Sequence, residues 1–144
     1  MKDFIELRIL GAVRGLLVGR VNEILREMEI AVPVVEFGDY FGGGVVVPGI
    51  ALSSYERSEK ERIIRLDVYA LTISFDFPET PDSELHCYAY ASSVCKAVGK
   101  DPTLGGVAER AVVTGKKYMS PKKLYSGEGW RAVINLRVTV EIEL

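Results

Sequence analysis

The chain has 144 residues, of which 48% are hydrophobic and 26% are charged, and its formal net charge is −2. This length suffices for one domain with a core of its own, and the composition is not that of a disordered chain. The small negative charge gives no indication of a strongly basic nucleic-acid-binding protein, and no stretch reaches the roughly 18 uncharged apolar residues of a membrane span. We expect a single domain over residues 1–144.

The first predicted element is an amphipathic helix over residues 4–28. Its apolar residues recur at steps of three and four, as one helical stripe does: Leu10, Val13, Leu17, Val21, Ile24 and Met28. Gly11, Gly15 and Gly19 repeat every fourth residue on a different face. Each glycine costs about 1 kcal/mol of helix stability relative to alanine. Two interpretations stay open: close packing of this face against a neighbouring element or subunit, or a helix that kinks or starts late.

A short strand is predicted at residues 32–37, followed by a long connection at about residues 38–62. Gly42, Gly43 and Gly44 lie near the start of this connection, residues 45–47 have the composition of an edge strand, and its end is charged. Long irregular connections inside domains are often binding loops or disordered segments. We therefore predict a flexible loop that becomes ordered on contact with a partner.

Residues 62–77 have the alternating pattern of a long strand, but the phase of the alternation changes along it. Ile64, Leu66 and Val68 are apolar at even positions, whereas the apolar residues after position 70 stand at odd positions. A shift of one residue exchanges the two faces of a strand. The pattern predicts a bulge or strong bend near residues 69–71, or two halves that pack against different layers.

The second predicted helix begins near Thr80 as the N-cap and Pro81 as the first helical residue, and it ends at Gly99. Its stripe of small apolar residues indicates close packing on a sheet: Cys87, Ala91, Val94 and Val98. On one helix, Cys87 and Cys95 lie about 12 Å apart along the axis, too far for a disulfide. We expect both thiols to be free and buried.

The last third of the chain is predicted to hold a short turn from Asp101, a strand at about residues 109–115, a basic loop and a final strand. From Trp130 onward every second residue is apolar and charged or polar residues stand between, with Val133 as the exception. This pattern is typical of a strand with one buried and one wet face. It favours an antiparallel sheet, because strands of parallel sheets are usually apolar on both faces.

Residues that could support catalysis or metal binding are sparse. His86 is the one histidine, and no Cys-x-x-Cys pair accompanies it; a zinc site is therefore not predicted. The two glycine-rich segments, "GDYFGGG" and "TLGG", lack the Gly-Lys-Ser/Thr ending of a P-loop and the strand–glycine–helix order of a dinucleotide site. Asp67 and Asp76 share the long strand, and we expect the phase change to place them in different environments. We predict no catalytic residue, metal or cofactor.

A basic and aromatic segment follows the third predicted strand. Four lysines alternate with tyrosines over residues 116–125: Lys116, Lys117, Tyr118, Lys122, Lys123 and Tyr125. Such a segment can bind single-stranded nucleic acid by neutralising phosphates and stacking on bases. It can equally be a solvated hairpin that protects strands from aggregation, or a protein contact, because tyrosine is enriched at interface hot spots. The sequence leaves these three interpretations open.

The order of elements from residue 62 to the end resembles that of the tail terminator, or tail completion, proteins of long-tailed bacteriophages and prophages. The similar segments are a strand ending "ISFDFP", a helix with "YAYASSVCKAVGKDPTLGG", the strand "AERAVVTGKKYMSPKK" and the final "GEGWRAVINLRVTVEIEL". The residues before position 62 are similar mainly in order, a first helix followed by a variable loop.

The resemblance implies an α+β fold with a mixed or largely antiparallel sheet of about four strands and two main helices packed on it. It also implies a structural virion protein without enzymatic activity or cofactor. Members of that family form a ring, commonly a hexamer, that caps the head-proximal end of the tail tube, stops tail polymerisation and provides the surface on which the head docks. The implied partners are copies of the chain, the tail tube protein and a head–tail connector protein; DNA would only pass through.

On this basis the protein is expected in the virion tail, assembled in the cytoplasm of the bacterial host, without a membrane partner. The candidate contacts with a subunit or the tail tube are two segments: Tyr40, Phe41, Gly42, Gly43 and Gly44, and the basic segment 116–125. Gly11, Gly15 and Gly19 form the candidate close-packing helix face, since head-to-tail contacts close into rings. The alternatives are a neck or head–tail joining protein, or a nucleic-acid-binding module that uses the basic segment.

Overall fold

The computed structural model describes residues 4–30, 49–59, 64–78, 80–121 and 129–143. The helical elements are α1 (Ile5–Leu16), a π-helical turn (Leu17–Val21), α2 (Asn22–Glu27) and α3 (Ser83–Lys100). The strands are β1 (Gly49–Glu59), β2 (Ile64–Pro78), β3 (Arg110–Met119) and β4 (Gly129–Glu143). None of the described helices combines the length and the apolarity that crossing a membrane requires.

The four described strands form one antiparallel sheet in the order β1-β2-β4-β3. Its centre is the pair of 15-residue strands β2 and β4, which are in register from Ile64 opposite Glu143 to Pro78 opposite Gly129. The predicted α+β fold, with about four strands and two main helices, is confirmed. The alternation in β4 pointed to this arrangement, because a strand with one wet face suits an antiparallel sheet.

The hydrophobic core lies between the helices and one face of the sheet. The stripe predicted for α3 is buried as expected, at Cys87, Ala91, Val94 and Val98. From β2, residues at odd positions such as Leu71 and Phe75 point into this core, while alternate positions such as Thr72 remain partly exposed. Burial of this shared apolar surface holds the two layers together.

The first helix runs from Ile5 to Glu27 with a π-helical turn at Leu17–Val21. It does not start late, and the irregularity in it is the π-turn, which contains Gly19. Outside the neighbouring backbone of its own helix, a Cβ atom added at Gly11, Gly15 or Gly19 would meet no described atom within 4 Å. The described part of the chain therefore does not pack closely on this glycine face, and contact with another subunit stays a prediction.

The predicted change of faces in β2 is wrong. The strand pairs with β4 without any register shift, and Asp67, Tyr69, Leu71, Ile73, Phe75 and Phe77 all lie on the helix-facing side. The irregularity is in the neighbouring strand instead, where the register with β2 shifts between Leu52 and Ser54. Apolar residues such as Val68 thus occupy the face opposite the helices, and Asp67 points inward.

The predicted connection at residues 38–62 is also corrected in part. Gly49–Glu59 form an eleven-residue edge strand, β1, that pairs antiparallel with β2. Its sequence lacks a clear alternation because the bulge at Ser53 interrupts the period of two. The predicted strand at 32–37, the proposed edge strand at 45–47 and the glycines 42–44 lie outside the described residues.

The second helix begins at Ser83, later than the sequence indicated, with Asp82 as the N-cap residue. The Ser83 hydroxyl contacts the Pro78 carbonyl oxygen and lies 3.0 Å from the Thr80 hydroxyl, and it accepts a hydrogen bond of 2.9 Å from the Thr80 amide. These contacts join the end of β2 to the start of α3. The predicted cap residue therefore belongs to the connection before the helix.

Candidate functional site

A cluster of polar side chains lies on the helix-facing side of the sheet, at the end where β2 begins. The Asp67 carboxylate, 3% exposed, forms an ion pair of 2.8 Å with the Arg65 guanidinium. It also accepts a hydrogen bond of 3.0 Å from the Tyr55 hydroxyl. Two residues further along β2 and on the same face, the Tyr69 hydroxyl donates a hydrogen bond of 2.7 Å to the Glu6 carboxylate on α1. We call Glu6, Tyr55, Arg65, Asp67 and Tyr69 the polar corner.

The polar corner borders an open cleft of about 620 Å³ between α1 and the sheet. Apolar side chains complete the lining, among them Ile5, Leu52 and Ile142. The Tyr55 and Tyr69 rings also line the cleft, with centroids 5.1 Å apart and planes tilted by 46°. The cleft therefore combines aromatic rings with charged groups that are bonded to one another.

The electrostatics of the polar corner favour neutral tyrosines. Burial, followed by the hydrogen bond to Glu6, raises the pKa of Tyr69 above its ordinary value. Partial burial and the hydrogen bond to Asp67 raise the pKa of Tyr55 in the same direction. In both pairs the tyrosine serves as a hydrogen-bond donor to a carboxylate, which is a bond of the stronger, charge-assisted kind. The cluster thus ties α1, β1 and β2 together.

The sequence contained a signal for the polar corner that the predicted phase change obscured. From Asp67 to Phe77 the odd positions of β2 continue without interruption, so Asp67 belongs to the same face as the core residues. Asp76 lies on the opposite face, where it pairs with Arg131 at 2.6 Å. The two aspartates are separate, as expected, but the reason is their odd spacing in an uninterrupted strand.

Residues 116–119 of the basic segment belong to the strand β3 rather than to a loop. Lys116 stands opposite Ile134 and so lies on the helix-facing side, while Lys117 stands opposite Val133 on the other side. Tyr118 returns to the helix-facing side and meets Tyr88 of α3 edge-on, with ring centroids 4.9 Å apart. The two lysines therefore belong to different faces of the sheet. Lys122, Lys123 and Tyr125, like residues 40–44, lie outside the described residues.

Several large apolar side chains are exposed, and most of them fall on the two main helices. At the first helix they are Phe4, the residue before α1, Leu7 on α1 and Val18 in the π-turn. Helical spacing places these three on the same side as Gly11 and Gly15, because steps of three, four and seven return to one face. We call Phe4, Leu7, Gly11, Gly15 and Val18 the α1 face.

The second group of exposed apolar side chains lies at the start of α3. Leu85 and Tyr88 are exposed there, and Tyr118 of β3 packs against Tyr88. The Tyr88 hydroxyl donates a hydrogen bond of 2.9 Å to Glu84, and this bond raises the pKa of Tyr88. We call Leu85, Tyr88 and Tyr118 the α3 patch. Tyr118 was predicted as a contact residue from the basic segment, whereas Leu85 and Tyr88 were not, although both stand off the predicted apolar stripe.

His86 lies between the α3 patch and the core. It is half-buried, and its ring lies 6.2 Å from the rings of both Phe77 and Tyr90. It is therefore part of an aromatic cluster rather than a fully exposed surface residue. Among the described residues, no group of three or more histidine, cysteine, aspartate or glutamate side chains could hold a metal ion.

The "DPTLGG" turn forms one wall of a second groove, of about 620 Å³, whose other wall includes Gly15 and Gly19. The Asp101 carboxylate accepts hydrogen bonds of 3.0 and 3.1 Å from the Gly105 amide. Leu104 has a positive φ of 50°, yet its side chain is buried. Gly105 and Gly106 continue with positive φ, a conformation that glycine adopts without a Cβ penalty. The turn anchors the chain between α3 and β3.

The comparisons with known proteins do not assign this chain to a family. No family model matches the chain, and a search of curated proteins finds no match either.

Proposed function

We propose that this chain is a structural virion protein, a tail terminator of a long-tailed bacteriophage or prophage. In this role, copies of the chain form a ring, a hexamer by the family resemblance, on the head-proximal end of the tail tube. The ring stops polymerisation of the tube and gives the head a surface on which to dock. Its partners are other copies, the tail tube protein and a head–tail connector protein.

The observation that carries the proposal is the exposure of large apolar side chains on both main helices. Leu7 on α1 is 56% exposed and Leu85 on α3 is 59% exposed, and each has a second exposed apolar residue within one helical turn. Single exposed apolar residues are ordinary, but grouped ones mark surfaces used for protein contacts. A subunit of an assembly needs such surfaces, and in a ring it needs them on two sides.

The resemblance of residues 62–144 to tail terminator proteins is the second support, and it concerns the β2–α3–β3–β4 unit. In that unit the structure has the predicted order of long strand, helix, turn, strand and final strand. Among the described strands, β3 stands at one edge of the sheet, and an edge strand is a place where a neighbouring chain can pair.

Two alternative functions make different demands on the exposed apolar surfaces and on the basic segment. A neck or head–tail joining protein would use the same kind of contact surfaces with a different neighbour. A nucleic-acid-binding module would need the lysines of the basic segment to act together along one groove. Lys116 and Lys117 instead lie on opposite sides of β3, which favours assembly over this module.

The proposal is tested by native mass spectrometry and light scattering of the full chain over a wide range of concentration, alone and with tail tubes of the same phage or prophage. We expect a closed ring, seen by electron microscopy at one end of each tube. A joining protein would instead bind the head connector and leave tube length unregulated. A chain that stays monomeric with tubes, and binds single-stranded DNA with steep dependence on salt, would overturn the proposal.

A further inference from the structure

The two exposed apolar surfaces lie on different helices. The N-terminal half of α1 lies beside β1, because Ile5 and Glu6 line the same cleft as Leu52 and Tyr55. The α3 patch lies beside β3, because Tyr88 of α3 contacts Tyr118. In the sheet order β1-β2-β4-β3 these two strands are the opposite edges. The α1 face and the α3 patch are therefore separate surfaces.

We propose that the α1 face of one copy of this chain binds the α3 patch of the next copy, in a head-to-tail contact. This inference rests on the proposed function, since it takes the chain to assemble with itself. A contact between two different surfaces repeats from copy to copy, and it gives a closed ring where the rotation closes.

The shapes of the two surfaces fit such a contact. On the α1 face, Gly11 and Gly15 have no side chain and no described neighbour within 4 Å, so they leave a shallow gap between Leu7 and Val18. Side chains that project, such as Leu85 and Tyr88, are suited to fill such a gap. Tyrosine is a preferred hot-spot residue because it supplies a large contact area at low entropic cost.

The charges around the surfaces favour this pairing over a contact between identical faces. Helical spacing places the exposed Arg8 beside the α1 face, while Glu6 turns inward to Tyr69. A symmetric contact between two α1 faces would bring the positive charges of the two copies to the same interface. The α3 patch instead carries the exposed Glu84, and Asp82 precedes the helix. The acidic residues lie at the α3 end of the patch. At the β3 end, Lys116 is the one described cation of β3 on the same side as Tyr118.

The test uses two variants of the full chain, Leu7→Glu on the α1 face and Leu85→Glu on the α3 patch. Both side chains are more than half exposed, so we expect neither substitution to change the circular dichroism spectrum or the melting temperature appreciably. A carboxylate at the centre of either surface would be desolvated without a partner in the contact. We expect each variant alone to remain monomeric at concentrations at least about tenfold above those at which the natural chain assembles.

A mixture of the two variants separates a head-to-tail contact from a symmetric one. Leu7→Glu chains keep an intact α3 patch, and Leu85→Glu chains keep an intact α1 face. These two intact surfaces can bind each other once, and the substituted surfaces then leave no site for a third chain. We expect the equimolar mixture to form dimers and nothing larger in native mass spectrometry. In a symmetric contact through α1 alone, Leu85→Glu would assemble like the natural chain, and this result would overturn the inference.

Val112→Glu is the matched control, because Val112 is also an exposed apolar residue, 37% accessible, but stands on the sheet face away from the helices. We expect this variant to form rings like the natural chain. If all three variants form rings, the ring uses other surfaces: the inference fails while the proposed function stands. If the natural chain itself stays monomeric with and without tail tubes, both fail.

Discussion

The two ends of one face of β2 have opposite character. Towards the end of the strand, Phe75 and Phe77 pack edge-on against Tyr90 of α3, with ring centroids 5.3 and 4.9 Å apart. Towards its beginning, Asp67 and Tyr69 form the polar corner, next to an open cleft. The strand geometry is the same at both ends, since β2 stays in register with β4 throughout.

The difference comes from what covers each end. The α3 helix places small residues such as Ala91 and Ala97 against the sheet, so it lies close enough for its Tyr90 to be fully buried. The start of α1 instead brings Glu6, and the edge strand β1 brings Tyr55. The same strand face is therefore packed with aromatic rings under α3, at Phe75 and Phe77, and bonded through polar side chains under α1. We call the end at Phe75 and Phe77 the dry end. This contrast can be tested from its largest expected effect to its smallest.

Removing the aromatic ring at the dry end should have the largest effect. Phe75 is fully buried, so Phe75→Ala leaves a cavity, and we expect a loss of about 3–5 kcal/mol in the free energy of unfolding. Urea denaturation followed by circular dichroism measures it. The control Leu85→Ala, at an exposed position, should change stability by less than about 0.5 kcal/mol. Equal effects of the two substitutions would mean that the dry end is not packed as described.

Breaking the polar corner should cost less. Asp67→Ala removes the partner of Arg65 and of the Tyr55 hydroxyl, and we expect a loss of about 2 kcal/mol, as for hydrogen bonds to charged groups. The loss stays below that of a fully buried pair because the Arg65 side chain is 26% exposed and water can solvate it.

The matched control for Asp67 is Asp76→Ala, which breaks an ion pair on the opposite face of the same strand. Asp76 and Arg131 are 66% and 41% exposed, so we expect less than about 1 kcal/mol despite their separation of 2.6 Å. A larger effect at Asp76 than at Asp67 would contradict the burial difference between the two faces.

Alkaline pH should weaken the fold through the tyrosines of both ends. Burial raises the pKa of Tyr90, and burial together with Glu6 raises that of Tyr69, above the ordinary value of 10.0. The unfolded chain then releases these protons first. The stabilisation is complete below about pH 10 and is lost as pH rises above it, by about 1.4 kcal/mol per pH unit for each tyrosine.

Tyr69→Phe isolates the contribution of the polar corner to this pH dependence. We expect about 1 kcal/mol less stability at neutral pH, because one hydrogen bond is lost, and a shallower decline above pH 10. Denaturant unfolding at a series of pH values measures both. Tyr88→Phe removes a hydrogen bond to Glu84 that also raises a tyrosine pKa, but Tyr88 is exposed and solvent screens the bond, so we expect a smaller change in the decline than for Tyr69→Phe. An unaltered slope in Tyr69→Phe would show that Tyr69 ionises as in the unfolded chain.

The thiols give the smallest and most local test of the dry end. Cys87 is fully buried, and burial raises its pKa to about 12, whereas Cys95 is partly exposed. At about pH 8 we expect Cys95 to react with a disulfide reagent while Cys87 reacts only as the chain unfolds, because the thiolate is the reactive form. In the Cys95→Ser variant, a fast reaction of the remaining thiol would show that the dry end admits water.

The α+β class, the second helix with its buried stripe and the final strand followed from the sequence. Their signals are periodic and local, at positions such as Ala91, Val94 and Leu136, and a period of 3.6 or 2 survives whatever surrounds it. The free state of both cysteines also followed from helix geometry alone. The ring, the tail and the partners remain predictions, because a periodic surface such as the glycine face does not show which molecule it contacts.

Tertiary structure decided the rest. Asp67 faces the helices because the alternation of β2 is uninterrupted. Its carboxylate can be buried there because Tyr55, on another strand, and Arg65 bind it, and the sequence does not show these contacts. The strand β1 depended in the same way on its pairing with β2, since a bulge at Ser53 breaks its own pattern. Leu85 and Tyr88 became a candidate contact surface only when Tyr118 of β3 was brought beside them. Sequence periodicity indicates which residues favour burial, but only the packing of the helices on the sheet determines which of them are buried.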